Sequence, residues 1–332
     1  MRIGIVGTGF MGRTHAAAWK NTPATLVGVH TLDPVGKEAF IGDFGSQAFD
    51  SLDELIDQVD VVDICTPTYL HMGHVITAAR AGKHIICEKP IARTLEQGRE
   101  MIRICREAGV RLLIAHVVRF FPEYARAKEI VENGDIGQVA VIRLSRCGFK
   151  PAANVPDSWF HDPEKSGGMM LDLMIHDFDY ARWVSGEVDS VFARSAAGIN
   201  ADAPLDHGFA ILRHRNGAIT HIEGSWAYPP PLFRTALEIA GSKGLIEHPA
   251  GSSNAVEMHL SVKDGVVPST GLPRSPLILD PYTLEMQHFY RVLTEGVTPR
   301  VTAEDGLAAL AIALAASESA RTGSVIQLGG SH

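Results

Sequence analysis

Apolar residues in the first third of the chain fall in short runs, separated by stretches whose apolar positions recur every three or four residues. The runs at 2–6, 26–29, 61–64, 84–87 and 111–115 predict strands. The stretches at 70–81 and 95–107 predict helices. Each is closed by a glycine, Gly82 or Gly109, the residue that takes the left-handed position after a helix at least cost. Strands alternating with helices predict a parallel, doubly wound α/β sheet.

A further helix is predicted over 123–132, after which the period changes. Segments 139–146, 207–214, 218–226 and 235–240 alternate as half-buried strands do. The turn sequences Arg215-Asn216-Gly217 and Gly241-Ser242-Lys243-Gly244 separate neighbouring runs by hairpin distances. Together they predict a second, α+β domain with an open, mainly antiparallel, meandering sheet. Helical patterns return at 282–293 and 303–320, the latter rich enough in Ala and Leu to be largely buried. Pro229-Pro230-Pro231 reads as a stiff loop and residues 329–332 as a frayed end. The domain division follows the change in pattern, 1–119 and 120–332.

Composition narrows the function. With 332 residues, 45% hydrophobic and 20% charged, the chain has material for two cores. A formal net charge of -8 argues against a nucleic-acid or anionic-membrane surface and favours a small-molecule partner. Basic residues show no cluster with interleaved aromatics. The apolar stretch 1–6 is interrupted by Arg2 and lacks the length and flanks of a signal peptide, and no run reaches the roughly 20 apolar residues that span a bilayer. Cys65, Cys87, Cys105 and Cys147 are not at paired metal spacings and read as reduced, buried thiols of a cytoplasmic protein.

Gly7-Thr8-Gly9-Phe10-Met11-Gly12 follows the first strand and opens a helix. In that context the glycines permit a tight turn, close approach of a pyrophosphate and close helix packing, while the helix N-terminus favours the anion. A dinucleotide, NAD or NADP, is the predicted cofactor. An acidic residue about 20 positions on commonly binds the ribose of NAD. Thr31 stands there instead, and its hydroxyl can serve a ribose hydroxyl or a 2′-phosphate. Asp33 can reach a ribose from two residues further on, and Arg13 or Lys37 can meet a 2′-phosphate, so the choice of cofactor stays open.

Two further motifs carry a family resemblance: Thr66-Pro67-Thr68-Tyr69-Leu70-His71, and Ala81-Gly82-Lys83-His84-Ile85-Ile86-Cys87-Glu88-Lys89-Pro90. With the glycine turn they closely resemble the glucose-fructose oxidoreductase and inositol dehydrogenase (Gfo/Idh/MocA) family. The likeness continues through Arg119-Phe120, Pro122, Asp157-Ser158-Trp159 and the run from Ser166 to Asp179, so it spans both domains. It implies an N-terminal Rossmann domain and a C-terminal domain that binds substrate and forms dimers or tetramers. The activity it implies is hydride transfer between a secondary alcohol of a sugar or inositol-like polyol and nicotinamide, with no metal.

By motif position the resemblance marks Lys89, Asp172 and His176 as the catalytic set, and their chemistry suits it. Oxidising an alcohol requires a group near the hydroxyl that takes its proton, a role for His176. Asp172, four residues earlier, is expected on the same helix face, where it would orient the ring. A cationic Lys89 would stabilise a developing alkoxide. Phe10, Met11, Thr66, Pro67, His71, Glu88 and Lys89 are expected along the cofactor. His116, Arg119 and Trp159 join Lys89, Asp172 and His176 as expected substrate contacts, although His116 and Arg119 can equally brace the two domains. Phe160 and Tyr282 are weaker candidates. His71 and His74 share a helix face, which explains them better than a metal does. Two other functions remain: a catalytically silent dinucleotide-binding sensor, and a glycosidase-like enzyme using transient NAD-linked oxidation.

Overall fold

The computed structural model describes residues 1–151, 158–196, 206–248 and 280–328, which divide into two compact units. The first begins with β1 (Arg2–Val6), α1 (Phe10–Trp19), β2 (Thr25–His30), α2 (Pro34–Phe44), β3 (Gln47–Phe49), α3 (Leu52–Gln58), β4 (Val61–Ile64), α4 (His71–Arg80), β5 (His84–Glu88), α5 (Leu95–Glu107) and β6 (Leu112–Ala115). The six strands form one parallel sheet in the order β3-β2-β1-β4-β5-β6. Strand order reverses between β1 and β4, which opens a crevice beyond their carboxyl ends where ligands of such sheets bind. Gly82 and Gly109 close α4 and α5 at φ 70° and 68°.

The sequence pattern gives no sign of β3, α2 or α3. The strand β3 has three residues, too few to show alternation. Helix α2 buries only Phe40, so tertiary contacts do not write a stripe into its sequence. Its start is nevertheless locally specified, with Asp33 accepting from the Val35 N–H at 3.1 Å and Pro34 in the first turn.

The second unit holds α6 (Pro122–Glu132), β7 (Val139–Cys147), α7 (Pro163–Ser166), α8 (Gly168–Asp172), α9 (Ile175–Ser185), β8 (Val188–Ala196), β9 (His207–His214), β10 (Ile219–Ser225), β11 (Arg234–Gly241) and β12 (Leu245–His248). A short last strand, β13 (Ile326–Gln327), completes a seven-stranded sheet in the order β12-β11-β7-β10-β9-β8-β13. The expected meander holds for β8-β9-β10 and for the β11-β12 hairpin. It fails in the middle, where β7 lies between β10 and β11 and pairs parallel with β10, making the sheet mixed. Such a pairing joins residues about 80 positions apart, which no local turn sequence specifies.

The chain then returns to the first unit. Helix α10 (Pro281–Thr294) and the opening turns of α11 (Ala303–Thr322) belong there, while the rest of α11 belongs to the second. A single break near residue 119 therefore does not describe the units. Buried Tyr282, Met286 and Phe289 give α10 its inward face, and a Cβ on Gly306 would lie 3.0 Å from Ile114 Cγ1 of β6. No described helix is long and apolar enough to cross a membrane. The proline loop at 229–231 is described, whereas Asp157 and the expected frayed end lie outside the described residues.

Candidate active site

At the end of β1 the three glycines play different parts. Gly7 has φ 104°, and a Cβ there would lie 2.7 Å from the Cys65 carbonyl oxygen. Gly12 packs so closely that a Cβ would lie 2.1 Å from the Gly7 carbonyl oxygen. Gly9 differs: no described atom lies within 4 Å of a Cβ built on it. It caps α1 without a side-chain hydrogen bond, and the first turn carries no acidic residue. The start of α1 is thus open at Gly9 and carries no side-chain cap, which fits the pyrophosphate of a dinucleotide. Phe10 is exposed beside them and Met11 partly so.

Beyond β2, Thr31 shares a hydrogen bond with the Thr8 hydroxyl at 3.1 Å and accepts the Asp33 N–H at 3.2 Å. Its hydroxyl therefore shapes the turn. Exposed Asp33 is the carboxylate nearest this strand end in sequence. Arg13 is paired with Asp43, and Lys37 with Asp50 at 2.9 Å.

Two buried histidines hold the loops after β4 and β5. One, His71, is fully buried with Nδ1 2.9 Å from the Pro90 carbonyl and Nε2 2.9 Å from the Thr66 carbonyl, linking the two motifs. Burial pulls its pKa down despite those acceptors. Both ring nitrogens are thus engaged by backbone carbonyls of the two loops. His74 Nδ1 lies 3.2 Å from the Thr66 hydroxyl.

The other is His15 of α1. Its Nδ1 lies 3.0 Å from both oxygens of Asp63 in β4, and its Nε2 lies 3.1 Å from Glu88 Oε1. That last contact is an ion pair without the alignment of a hydrogen bond. The Trp19 indole N–H donates to Asp63 at 2.8 Å. Burial opposes charge on His15, but Asp63 and its neighbours outweigh it and raise the pKa well above 6.5, so the ring is cationic at neutral pH. Cys65 stands 3.3 Å from the same ring, its thiol pushed far up by burial. Opposite them, Glu285 of α10 is fully buried without a hydrogen-bond partner among the described residues, and burial keeps it protonated. Buried Tyr282 lies on the same helix. The sequence analysis missed this cluster, although Asp63 inside the apolar run Val61-Val62-Asp63-Ile64 was a visible sign that a buried carboxylate needed partners. All four cysteines are free and buried, as expected.

Glu88 divides its carboxylate. One oxygen faces His15 and the other accepts the backbone N–H of Lys89 at 2.9 Å. Lys89 precedes Pro90 through a cis peptide bond at the carboxyl edge of β5.

In the second unit, Asp172 and His176 do not lie in one continuous helix. Asp172 ends α8, Leu173 and Met174 form a turn that keeps right-handed backbone angles, and His176 is the second residue of α9. Both side chains are half-buried. The turn is seated on the sheet by glycines: a Cβ at Gly224 would lie 2.3 Å from Met174 Cγ, and one at Gly208 would lie 2.5 Å from Met169 Cε. Beneath it Asp177 receives two hydrogen bonds from Arg146, at 2.8 and 3.0 Å, both groups being buried. The Tyr180 hydroxyl donates to the Tyr124 carbonyl at 3.0 Å. Sequence reading gave α9 an acid-base role and no scaffold; these partners supply it.

Of the weaker candidates, Trp159 and Phe160 stack at 4.1 Å between ring centroids. His116 is fully buried after β6. Arg119 is 2% exposed and donates to the Arg300 carbonyl at 2.7 Å and to Asp305 at 3.3 Å. These bonds tie Arg119 to the segment that opens α11, within its own unit.

Residues 1–116 match the oxidoreductase family with an NAD-binding Rossmann fold, GFO/IDH/MocA, and residues 124–247 match its C-terminal domain. The chain is 30% identical to the inositol 2-dehydrogenase of Rhizobium meliloti (strain 1021) and 31% identical to the myo-inositol 2-dehydrogenase of Thermotoga maritima, each alignment covering 96% of both chains. The crystal structure of a levoglucosan dehydrogenase in complex with NADH and levoglucosan superposes with a TM-score of 0.83 at 28% identity, covering 98% of each chain. This chain belongs to the GFO/IDH/MocA family of oxidoreductases and carries its NAD-binding Rossmann domain.

Proposed function

We propose that the chain oxidises or reduces a secondary alcohol carbon of a sugar or cyclic polyol, inositol-like in its relatives, at the expense of a nicotinamide dinucleotide. The observation that carries the reading is the uncapped helix start at Gly9, open where a pyrophosphate would lie. When bound, the nicotinamide supplies the hydride acceptor. We assign the proton of the reacting hydroxyl to His176, with Asp172 favouring the protonated ring and Lys89 stabilising negative charge on the substrate oxygen. Half-burial suits both second-unit residues, since a group that exchanges protons with substrate needs access and partial desolvation. His116 and Trp159 remain proposed substrate contacts, with Phe10, Met11, Thr66, Pro67 and the Glu88-Lys89 segment along the cofactor.

NAD is the proposed cofactor over NADP. The exposed Asp33 carboxylate repels a 2′-phosphate, and both nearby cations already face carboxylates. Self-association is proposed through the open face of the second sheet, where Phe209 and Ile219 are 39% and 40% exposed beside the Arg143–Glu238 ion pair. A monomer in light scattering overturns that part.

A panel of inositols, aldoses and anhydrosugars, followed by NAD(P)H absorbance, tests the reading. Reduction of cofactor by at least one polyol supports it, and its absence across the panel with folded, NAD-bound protein refutes it. Retained cofactor with substrate turnover and no net NADH points instead to transient oxidation. Retention of Lys89, Asp172 and His176 together argues against a silent sensor.

A further inference from the structure

His15 is a buried cation with no place in the proposed chemistry, and three facts give it one. It is fully buried in α1, the helix whose N-terminus faces the cofactor. Its two nitrogens face carboxylates on two different strands, Asp63 of β4 and Glu88 of β5. The second of these holds the backbone N–H of Lys89 with its remaining oxygen. Asp63 is itself fixed by the Trp19 indole. The chain of contacts therefore runs from Trp19 and Asp63 through His15 and Glu88 to the backbone of Lys89, inside one unit.

We propose that His15 is a positioning residue for Lys89: ion-paired to Asp63 through Nδ1 and to Glu88 through Nε2, it fixes the carboxylate that holds the Lys89 N–H. Without it, two buried carboxylates face each other with only neutral donors among the described residues, the indole and the Cys65 thiol on Asp63 and the Lys89 amide on Glu88, and the Glu88 side chain turns toward solvent. Lys89 then loses its fixed place. The inference rests on the assignment of Lys89 to the reaction, and its test separates the two.

The test uses His15→Gln, which keeps one N–H donor and removes the charge, with Lys89→Met and the double variant. Three readings are taken: NAD affinity by tryptophan fluorescence, turnover of the panel polyol that reacts fastest, and acetic anhydride labelling of Lys89 relative to exposed Lys165 by mass spectrometry. His15→Gln is expected to lower kcat about tenfold or more with NAD affinity within about threefold, and to add little in the Lys89→Met background, because residues acting as a unit are non-additive. Lys89 labelling is expected to change by about threefold or more, since a lysine's reactivity follows its surroundings. Unchanged labelling, or a full tenfold loss that persists without Lys89, overturns the inference. If Lys89→Met is fully active while His15→Gln still alters labelling, the catalytic assignment of Lys89 fails and the positioning stands. Should His15→Gln not fold, Glu88→Gln breaks the same link with less change of shape and is read by the same three measurements.

Discussion

Replacing Gly9 and Gly12 by alanine separates what the first turn does for the cofactor from what it does for the fold. At Gly9, φ −66° and ψ −171° are open to alanine and nothing lies within 4 Å of the added methyl. Stability of the unliganded protein should stay within about 1 kcal/mol, with a small gain because the unfolded chain loses freedom. The methyl nevertheless stands where the pyrophosphate approaches the α1 amides, so NAD affinity should fall about tenfold, or about 1.4 kcal/mol. At Gly12 the methyl would lie 2.1 Å from a backbone oxygen, which no side-chain rotation relieves. That substitution should cost about 3 kcal/mol in the unliganded protein. Thermal unfolding with and without NAD reads both effects. NAD at about one hundred times the wild-type Kd stabilises by about 2.7 kcal/mol, and a tenfold weaker site under the same NAD retains about 1.4 kcal/mol. Gly9→Ala should thus show an unchanged melting point alone and half the NAD shift, whereas Gly12→Ala melts early before NAD is added. A full NAD shift in Gly9→Ala would show that the pyrophosphate does not lie over this helix start.

Three more substitutions address the chemistry and the charges. Asp33→Ser keeps an oxygen to cap α2 and removes the carboxylate, so kcat/KM for NADP relative to NAD should rise about tenfold or more; an unchanged ratio removes Asp33 from cofactor choice. His176→Ala should lower kcat by about two orders of magnitude or more at unchanged NAD affinity, and full activity would end its assignment as the acid/base. In the first unit, burial first and then the Arg300 and Arg291 charges lower the His288 pKa to about 4, and its Nε2 accepts the Arg300 N–H at 2.8 Å. Because the folded pKa is depressed, this stability is full above about pH 6.5 and is lost as pH falls toward 4. At a half-buried ring solvent screening holds the effect to about 1 kcal/mol, and His288→Gln, which keeps an acceptor, should flatten that limb in urea titrations at pH 7 and 4.5.

Local constraints made the most legible parts of this chain. The glycine turn, the stops at Gly82 and Gly109, and the strands at 84–88 and 207–214 are written in a few adjacent residues, and the structure places them there. Features that depend on distant partners were not legible: the parallel pairing of β7 with β10, the return of α10, and the three-residue β3. The break between Asp172 and His176 belongs to the same class. Their spacing reads as one continuous helix, but Met174 must enter the space left by Gly224, and Gly208 accepts Met169 in the same way, two glycines more than 30 residues downstream. The candidate site divides along the same line. Lys89, Asp172 and His176 stand out because they lie in recognisable motifs, whereas their supports do not. Arg146 holds Asp177 from another element, and His15 reaches Glu88 across 73 positions. One support did announce itself locally. A carboxylate at Asp63 within a wholly buried strand costs several kcal/mol unless paired, so its presence in an apolar run implies a buried cation. Reading such anomalies as demands for a partner, rather than as breaks in a strand pattern, would have led from Asp63 toward the cluster that underlies Lys89.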